Sequence, residues 1–371
     1  MRLALADDLS GAAEAALALR GTSVQLARFA QSEGSGAVDL DLRQAEQGTA
    51  RAVVREAAGG AEPLFLKIDS LLRGNVEAMV RGIRDVRDGL VLCTPALPVA
   101  GRATIGGRVV FAGAEPGPGE YRPDTVAAAL GDLPLSTVDL AAVRSPVLPE
   151  LLAEIARDGR IAGCDAETDA DLDLLAAAAR PFPGVVAVGS AGLAAAFGRQ
   201  RPVPPVPERE PGSAPVLVVV GSAEPSARRQ VEVLAADGVP VVEIDPVVLG
   251  DVTAAVVAGL GSGRVVLTVR AGLVDPARGR ALTAHLATTV QNVLGRREAR
   301  LALTGGETAR RVLEALGVTR LDLLGQVHPG AVHARTDTGH EIVTRPGSHG
   351  GQDSLLAITR QLSQTQHQEA L

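Results

Sequence analysis

The sequence predicts an α/β protein of two α/β domains with largely parallel sheets, facing each other across a cleft. Three observations predict it. Short apolar runs alternate with Ala/Leu-rich helical stretches along the chain, the pattern of strand–helix–strand units. The length of 371 residues exceeds what one ordinary core organises. Prolines at 202, 204, 205, 207, 211 and 215 crowd into one stretch, which favours extended, semi-rigid chain. The expected organisation is a first domain at 1–200, a Pro-rich linker at 201–215 and a second domain at 216–371.

In the first domain, strands are expected at Leu3–Ala6, Leu64–Asp69, Leu90–Thr94 and Val185–Val188, each a short apolar run bounded by polar or small residues. In the second, they are expected at Val216–Val220, Val239–Ile244, Val265–Val269 and Leu301–Thr304, with helices such as Ser226–Ala236 and Thr308–Leu316 between them. Residues 31–60 and 112–135 are polar or rich in Gly and Pro and take no assignment. The polar tail from Ser363 is expected to fray.

Composition excludes several classes. Net charge is −7 and the pI is near 5.5, so no basic nucleic-acid footprint exists. Five Phe, one Tyr and no Trp leave little for stacking on bases. No apolar run reaches the roughly 18–20 residues of a membrane span, and no signal peptide is read at Met1, so a cytoplasmic location is expected. Cys93 and Cys164 lie far apart and make no metal or redox motif. His328, His333 and His340 are read as surface or loop histidines, because no companion Cys or HExxH pattern accompanies them. No metal-binding residue is expected. A homodimer is compatible with the sequence, which does not specify the oligomeric state.

Ligands of open α/β sheets bind beyond the carboxyl ends of the strands, so the residues at those ends carry the functional reading. The first expected strand ends at Asp7-Asp8-Leu9-Ser10-Gly11. Helix capping by Asp8 or Ser10 accounts for one acid but not for both; the remaining roles are binding substrate hydroxyls or activating one as general base. The second ends in Lys67-Ile68-Asp69-Ser70-Leu71-Leu72-Arg73-Gly74-Asn75, and Lys67 is the single lysine of a chain that otherwise uses Arg. A compact ammonium is not interchangeable with a planar guanidinium. By the two-residue strand period Lys67 and Asp69 share one face; Arg73 offers a fork for a carboxylate or phosphate, and Asn75 a donor and an acceptor. The bland alternative is a structural Lys–Asp or Arg–Asp pair. After Cys93, a loop stiffened by Pro95 and Pro98 delivers Arg102 and Thr104 to the same edge.

In the second domain, strands run into Gly221-Ser222, Gly305-Gly306-Glu307-Thr308 and, before the last helix, Gly347-Ser348-His349-Gly350-Gly351-Gln352-Asp353. Such corners suit phosphate binding by backbone amides at helix N-termini. None is a Walker A loop, and no Gly-x-Ser-x-Gly elbow occurs.

Taken together, these phrases resemble the four-carbon acid sugar kinase family, the group of threonate, erythronate and 3-oxo-tetronate kinases. Ala6–Ala12 resembles its ADDLTGA, Lys67–Asn75 its KIDSTLRGN and Pro95–Thr104 its PAFPxxGRTT. Asp165–Leu172 and Gly189–Ala194 resemble its DAxTxxDL and GSAGLA. Gly221-Ser222, Gly305–Thr308, Gly325–Gly330 and Gly347–Asp353 resemble GSCS, GGDT, GEIxPG and GNFGxxD, in the same order along nearly the whole chain. The resemblance implies an N-terminal acid-sugar domain and a C-terminal ATP domain, with Mg²⁺ accompanying ATP. For phosphoryl transfer, Asp8 is expected to orient or deprotonate the attacking hydroxyl and Lys67 to stabilise the transferring charge, with Asp7, Asp69 and Asp353 as substitutes for the base. Asp7, Asp69, Ser70, Arg73, Asn75 and Arg102 would meet substrate, Arg73 taking its carboxylate. Ser222, Gly305, Gly306, Glu307, Thr308, Gly347, Gly350 and Gly351 would border ATP. Glu307 stands for the family's Asp, Gln326 for a Glu, and Arg345 and His349 for Lys and Phe; Leu71 and Ala103 lack hydroxyls the family carries. The competing readings are a Lys67-dependent isomerase or aldolase of a phosphosugar acid, and a non-catalytic sugar-acid or nucleotide-binding regulator.

Overall fold

The computed structural model describes residues 3–26, 36–59, 62, 64–112, 125–199, 201–202, 214–221, 225–270, 276–347 and 350–363. Most of the expected linker, Ser222, Ser348, His349 and the tail from 364 lie outside the described residues. The chain divides into two compact units, Met1–Pro204 and Pro205–Leu371.

In the first unit, strands β1 (Leu3–Ala6), β2 (Ser23–Gln25), β3 (Gly36–Asp39), β4 (Leu64–Lys67) and β5 (Val91–Thr94) are followed by a two-stranded ribbon of β6 (Arg102–Ile105) and β7 (Arg108–Phe111), and then by β8 (Leu135–Val138), β9 (Ile161–Cys164) and β10 (Val186–Gly189). All except the ribbon form a parallel sheet in the order β2-β3-β1-β4-β10-β5-β9-β8. Parallel strands buried on both faces read as continuous apolar runs, which is why β1, β4, β5 and β10 were visible in the sequence. Strands β2, β3, β8 and β9 were not. Alternate strand residues such as Leu5, Leu64, Leu66 and Val188 pack with Val54, Met79 and Ile83 of helices α2 (Gln47–Ala57) and α3 (Val76–Arg84). The opposite face carries Ala4, Ala6, Phe65 and Lys67 toward α1 (Leu9–Ala18).

The register lines up the last residues of five strands. Asp39, Ala6, Lys67, Gly189 and Thr94 are lateral neighbours across β3, β1, β4, β10 and β5. Chemistry placed at any of these ends is therefore gathered along one edge.

The second unit contains β11 (Val216–Val220), β12 (Val241–Ile244), β13 (Arg264–Val269), β14 (Arg300–Thr304), β15 (Arg320–His328), β16 (Ala331–Thr336) and β17 (Glu341–Arg345). Their order is β12-β13-β11-β14-β17-β16-β15; the first five run parallel and the last three pair antiparallel. Here too one row, Thr268–Val220–Thr304–Arg345, aligns the strand ends.

The structure corrects two sequence expectations. The strand expected to reach Asp69 stops at Lys67, because the Asp69 carboxylate accepts the Leu71 amide at 3.0 Å and turns the chain away from the sheet. His333 is neither surface nor loop: it sits in β16 with no exposed area, its Nε2 bonded to Glu341 Oε1 at 2.7 Å. Glu341 also pairs with Arg300 at 3.0 Å, so this histidine belongs to a buried charge cluster at the start of β14 and β17.

Candidate active site

Asp8 is the N-cap of α1, its Oδ1 accepting the Gly11 amide at 2.8 Å. Capping uses one oxygen of one acid. The other oxygen accepts Arg43 Nη1 at 2.9 Å, while Asp7 takes Arg43 Nε and Nη2 at 2.8 and 2.9 Å. Arg43 is delivered by the chain leaving β3, where the Leu42 and Arg43 amides both donate to Asp7 O. Asn75 locks that segment from the other side: Nδ2 donates to Leu42 O at 2.8 Å and to Ala45 O at 2.7 Å. The Asn75 donors, expected to meet substrate, are thus engaged with backbone.

Asp7 is completely buried, and burial raises its pKa, with the Arg43 charge the largest opposing influence and Asp8 adding to the rise. Asp69 moves the other way. Burial would raise it, but the Arg73 hydrogen bonds and the charges of Arg43, Arg73 and Lys67 hold it well below the usual carboxylate range. The Arg73 fork grips Asp69 through Nε at 2.9 Å and Nη2 at 2.8 Å, so the Arg–Asp pair that the sequence left as an alternative is present. Arg102 Nη1 donates to Ser70 Oγ at 2.5 Å. It is aimed by the ribbon, whose turn amides Gly106 and Gly107 are held by Asp165 at 2.7 and 2.9 Å.

Lys67 is 5% exposed and lies under the first turn of α1. A Cβ added at Gly11 would stand 2.7 Å from Asp8 Oδ1 and 3.0 Å from Lys67 Nζ. The carboxylate and the ammonium therefore converge on the notch that glycine leaves. An acid that can accept a proton and a cation that can stabilise developing negative charge, side by side, is what attack by a hydroxyl requires. Ser10, Thr94 and Thr104 add buried hydroxyls whose oxygens have no hydrogen-bond partner among the described residues, so this edge retains polar capacity.

In the second unit, Gly305 takes φ +96 as N-cap of α4 (Gly306–Ala315) and offers no capping side chain, and amides of a first helical turn suit an external acceptor. Glu307 is exposed in that turn and Thr308 is buried. Gly221 packs so closely on Thr308 that any Cβ there would collide with the hydroxyl and methyl of the threonine. Two corners of the three predicted, Gly221 and Gly305–Thr308, are thereby brought together on neighbouring strands. The third is held by Gln230, which is buried and donates to Gly350 O at 3.2 Å and Gly351 O at 2.9 Å. Gln230 in turn accepts Arg345 Nη2 at 2.5 Å, and burial pulls the Arg345 pKa down to about 10. Gly347 precedes this loop in a turn after β17.

Arg43, Glu14 and Gln230 were missed by sequence reasoning. Arg43 lies in a segment without apolar period, Glu14 reads as a helix-surface acid, and Gln230 sits mid-helix with no motif around it. No helix among the described residues is long and apolar enough to cross a membrane.

A family model described as a sugar-binding N-terminal domain matches residues 3–197, and one described as a nucleotide-binding C-terminal domain matches residues 217–355. The chain is 32% identical to a D-threonate kinase of Cupriavidus necator, over 95% of this chain and 96% of that one. It is 30% identical to a D-threonate kinase of Bordetella bronchiseptica, over 95% of each. A 3-oxo-tetronate kinase of Methylobacterium radiotolerans is 29% identical over 83% of this chain and 84% of its own length. Among solved structures, a Salmonella typhimurium LT2 protein superposes with TM-score 0.77 at 19% identity, covering 97% of this chain and 99% of that one, a likeness of fold. Sugar-acid phosphotransferase chemistry follows from these relatives together with the two motif-bearing strand edges, and the chain belongs to the four-carbon acid sugar kinase family.

Proposed function

We propose that the protein is a cytoplasmic kinase that transfers a phosphoryl group from ATP to a hydroxyl of a four-carbon acid sugar such as threonate, erythronate or 3-oxo-tetronate. The observation that carries this reading is the convergence of Asp8 and Lys67 at the Gly11 notch. The first unit binds the acid sugar. Arg102 and Arg73 form the cationic wall for its carboxylate, and Asp69 fixes the Arg73 fork. Asp8 accepts the proton of the attacking hydroxyl, while the Lys67 ammonium faces the charge that develops on transfer. Asp7, locked to Arg43, sets the Asp8 carboxylate by sharing its guanidinium.

The second unit binds ATP. The first-turn amides of α4 at Gly306, Glu307 and Thr308 suit phosphate oxygens, and the Gly350–Gly351 loop closes the same edge. Glu307, exposed in the first turn, supplies a carboxylate fit for a Mg²⁺ ion held mainly by phosphate oxygens and water. That ion would neutralise phosphate charge; the positioning falls to the side chains named.

Coupled ADP release with Mg-ATP, measured against D- and L-threonate, D- and L-erythronate and 3-oxo-tetronate, tests the proposal. Substrate-dependent ADP release that Lys67→Met abolishes supports it and names the acceptor. No ADP release with any of the five, together with no ATP binding by calorimetry, refutes it.

A further inference from the structure

Lys67 raises a physical problem that its own strand does not solve. Its ammonium is buried between the sheet and α1, where an uncompensated charge is costly. Its hydrogen bond to Ile68 O, at 3.1 Å, supplies a dipole but no countercharge. A lysine stem has four rotatable bonds, so a single carbonyl leaves the charged tip poorly aimed.

Asp7 and Asp69 act on the ammonium through their charges, and its ion-pair partner comes from the second turn of α1. Gly11 and Glu14 are three residues apart and lie on the same helical face. The lysine stem passes over Gly11, with Cγ 3.3 Å and Nζ 3.0 Å from where a Cβ would stand, and its tip then meets Glu14 Oε2 at 3.9 Å. The Glu14 side chain is 10% exposed, so the pair sits largely out of water. Burial pushes the Glu14 carboxyl pKa up, and the Lys67 charge is the largest influence holding it down. The separation is informative in itself. At 3.9 Å the contact is Coulombic and not a hydrogen bond, so it directs the ammonium without consuming the donors that an incoming oxygen would need.

We propose that Glu14 is the positioning residue for Lys67, holding the ammonium in the notch beside Asp8 so that it meets the transferring group in one orientation. This rests on the reading of Lys67 as the group that faces the transferring phosphoryl. Glu14 touches neither substrate nor nucleotide; it acts through the lysine.

Because Lys67 is the single lysine, ¹⁵N-lysine labelling reports on it alone. The experiment compares the full-length protein with Glu14→Gln, which keeps size and removes charge, and Glu14→Asp, which keeps charge and withdraws it by one methylene. Two readouts are taken: the ammonium ¹H–¹⁵N cross-peak, sharp only when the protons exchange slowly, and kcat and KM with the tetronate that the native protein uses. In Glu14→Gln the cross-peak broadens away and kcat falls roughly tenfold or more, with KM for the tetronate changed far less, because a misaimed donor weakens the transition state more than the ground state. Glu14→Asp recovers part of both. A folded Glu14→Gln protein with native kcat overturns the proposal, as does a fall in kcat with an unchanged cross-peak. If the native protein turns over none of the tetronates and binds no ATP, the kinase reading fails; an unchanged cross-peak in Glu14→Gln then refutes the tether independently, and its loss upholds it.

Discussion

Arg43→Met separates the charge of the Asp7–Asp8–Arg43 cluster from its packing. Methionine keeps much of the apolar stem, so the cavity contribution is small. What is lost is three charge-assisted hydrogen bonds, at 2.8, 2.9 and 2.9 Å. The magnitude is set less by those bonds than by what remains. Asp7 is 1% exposed and would carry its charge with no partner of comparable closeness. Breaking a buried pair from one side costs about 3–5 kcal/mol, a large fraction of the roughly 5–15 kcal/mol that holds a typical domain folded. For a unit of about 200 residues this is a fall in Tm of roughly 6–20 °C.

The pH dependence has a definite sign. Burial already raises the Asp7 pKa, and Arg43 is the strongest influence opposing the rise. Without Arg43 the folded-state pKa climbs further above the unfolded value near 3.8. The folded variant then binds a proton that the unfolded chain does not, so its stability increases as pH falls toward that value, by up to about 1.4 kcal/mol per pH unit. The gap to the native protein is therefore widest near pH 7.5 and narrower at pH 5. Urea unfolding followed by circular dichroism at both pH values measures it. Asp7→Asn added to Arg43→Met removes the orphaned charge and recovers most of the loss. A gap below about 1 kcal/mol at pH 7.5, or one that does not shrink at pH 5, would refute the account of the cluster.

Three further outcomes are expected. Gly11→Ala fills the notch between Asp8 and Lys67 while raising intrinsic helix propensity by about 1 kcal/mol, so thermal unfolding changes little and kcat falls roughly 100-fold; native kcat in this variant would contradict the site. Gly221→Ala drives a methyl into Thr308, and calorimetry should show ATP affinity weakened roughly tenfold or more, with unaltered affinity counting against the proposed nucleotide corner. Cys93 and Cys164 are both buried, with burial pushing the Cys93 thiol up to about 12 and Cys164 well above its ordinary value; a thiol-reactive dye at pH 8 should leave both unmodified in the folded protein and label both in denaturant.

The α/β class, the central strands and the motif-bearing ends are legible in the order of the amino acids alone. These features are local: an apolar run of four or five residues, a capping acid after it, a glycine where a helix begins. Asp8, Lys67 and Asp69 could be named because strand-end position is a property of a short window. The pattern failed where strands were weakly apolar, as in β2 and β8, or where the segment was antiparallel and mixed, as in β15–β17. What each charge does depends on packing between distant segments. Arg43 lies 36 residues from Asp7, and Lys67 lies 53 residues beyond Glu14, yet parallel pairing of β1 with β3 and β4 brings all of them to one edge. That packing likewise engaged the Asn75 amide donors as a clamp on the Arg43 segment, and buried His333, which was expected at the surface or in a loop. Burial and ion pairing depend on contacts between distant segments, which hydrophobic periodicity and local motifs do not encode; lateral register between parallel strands creates them.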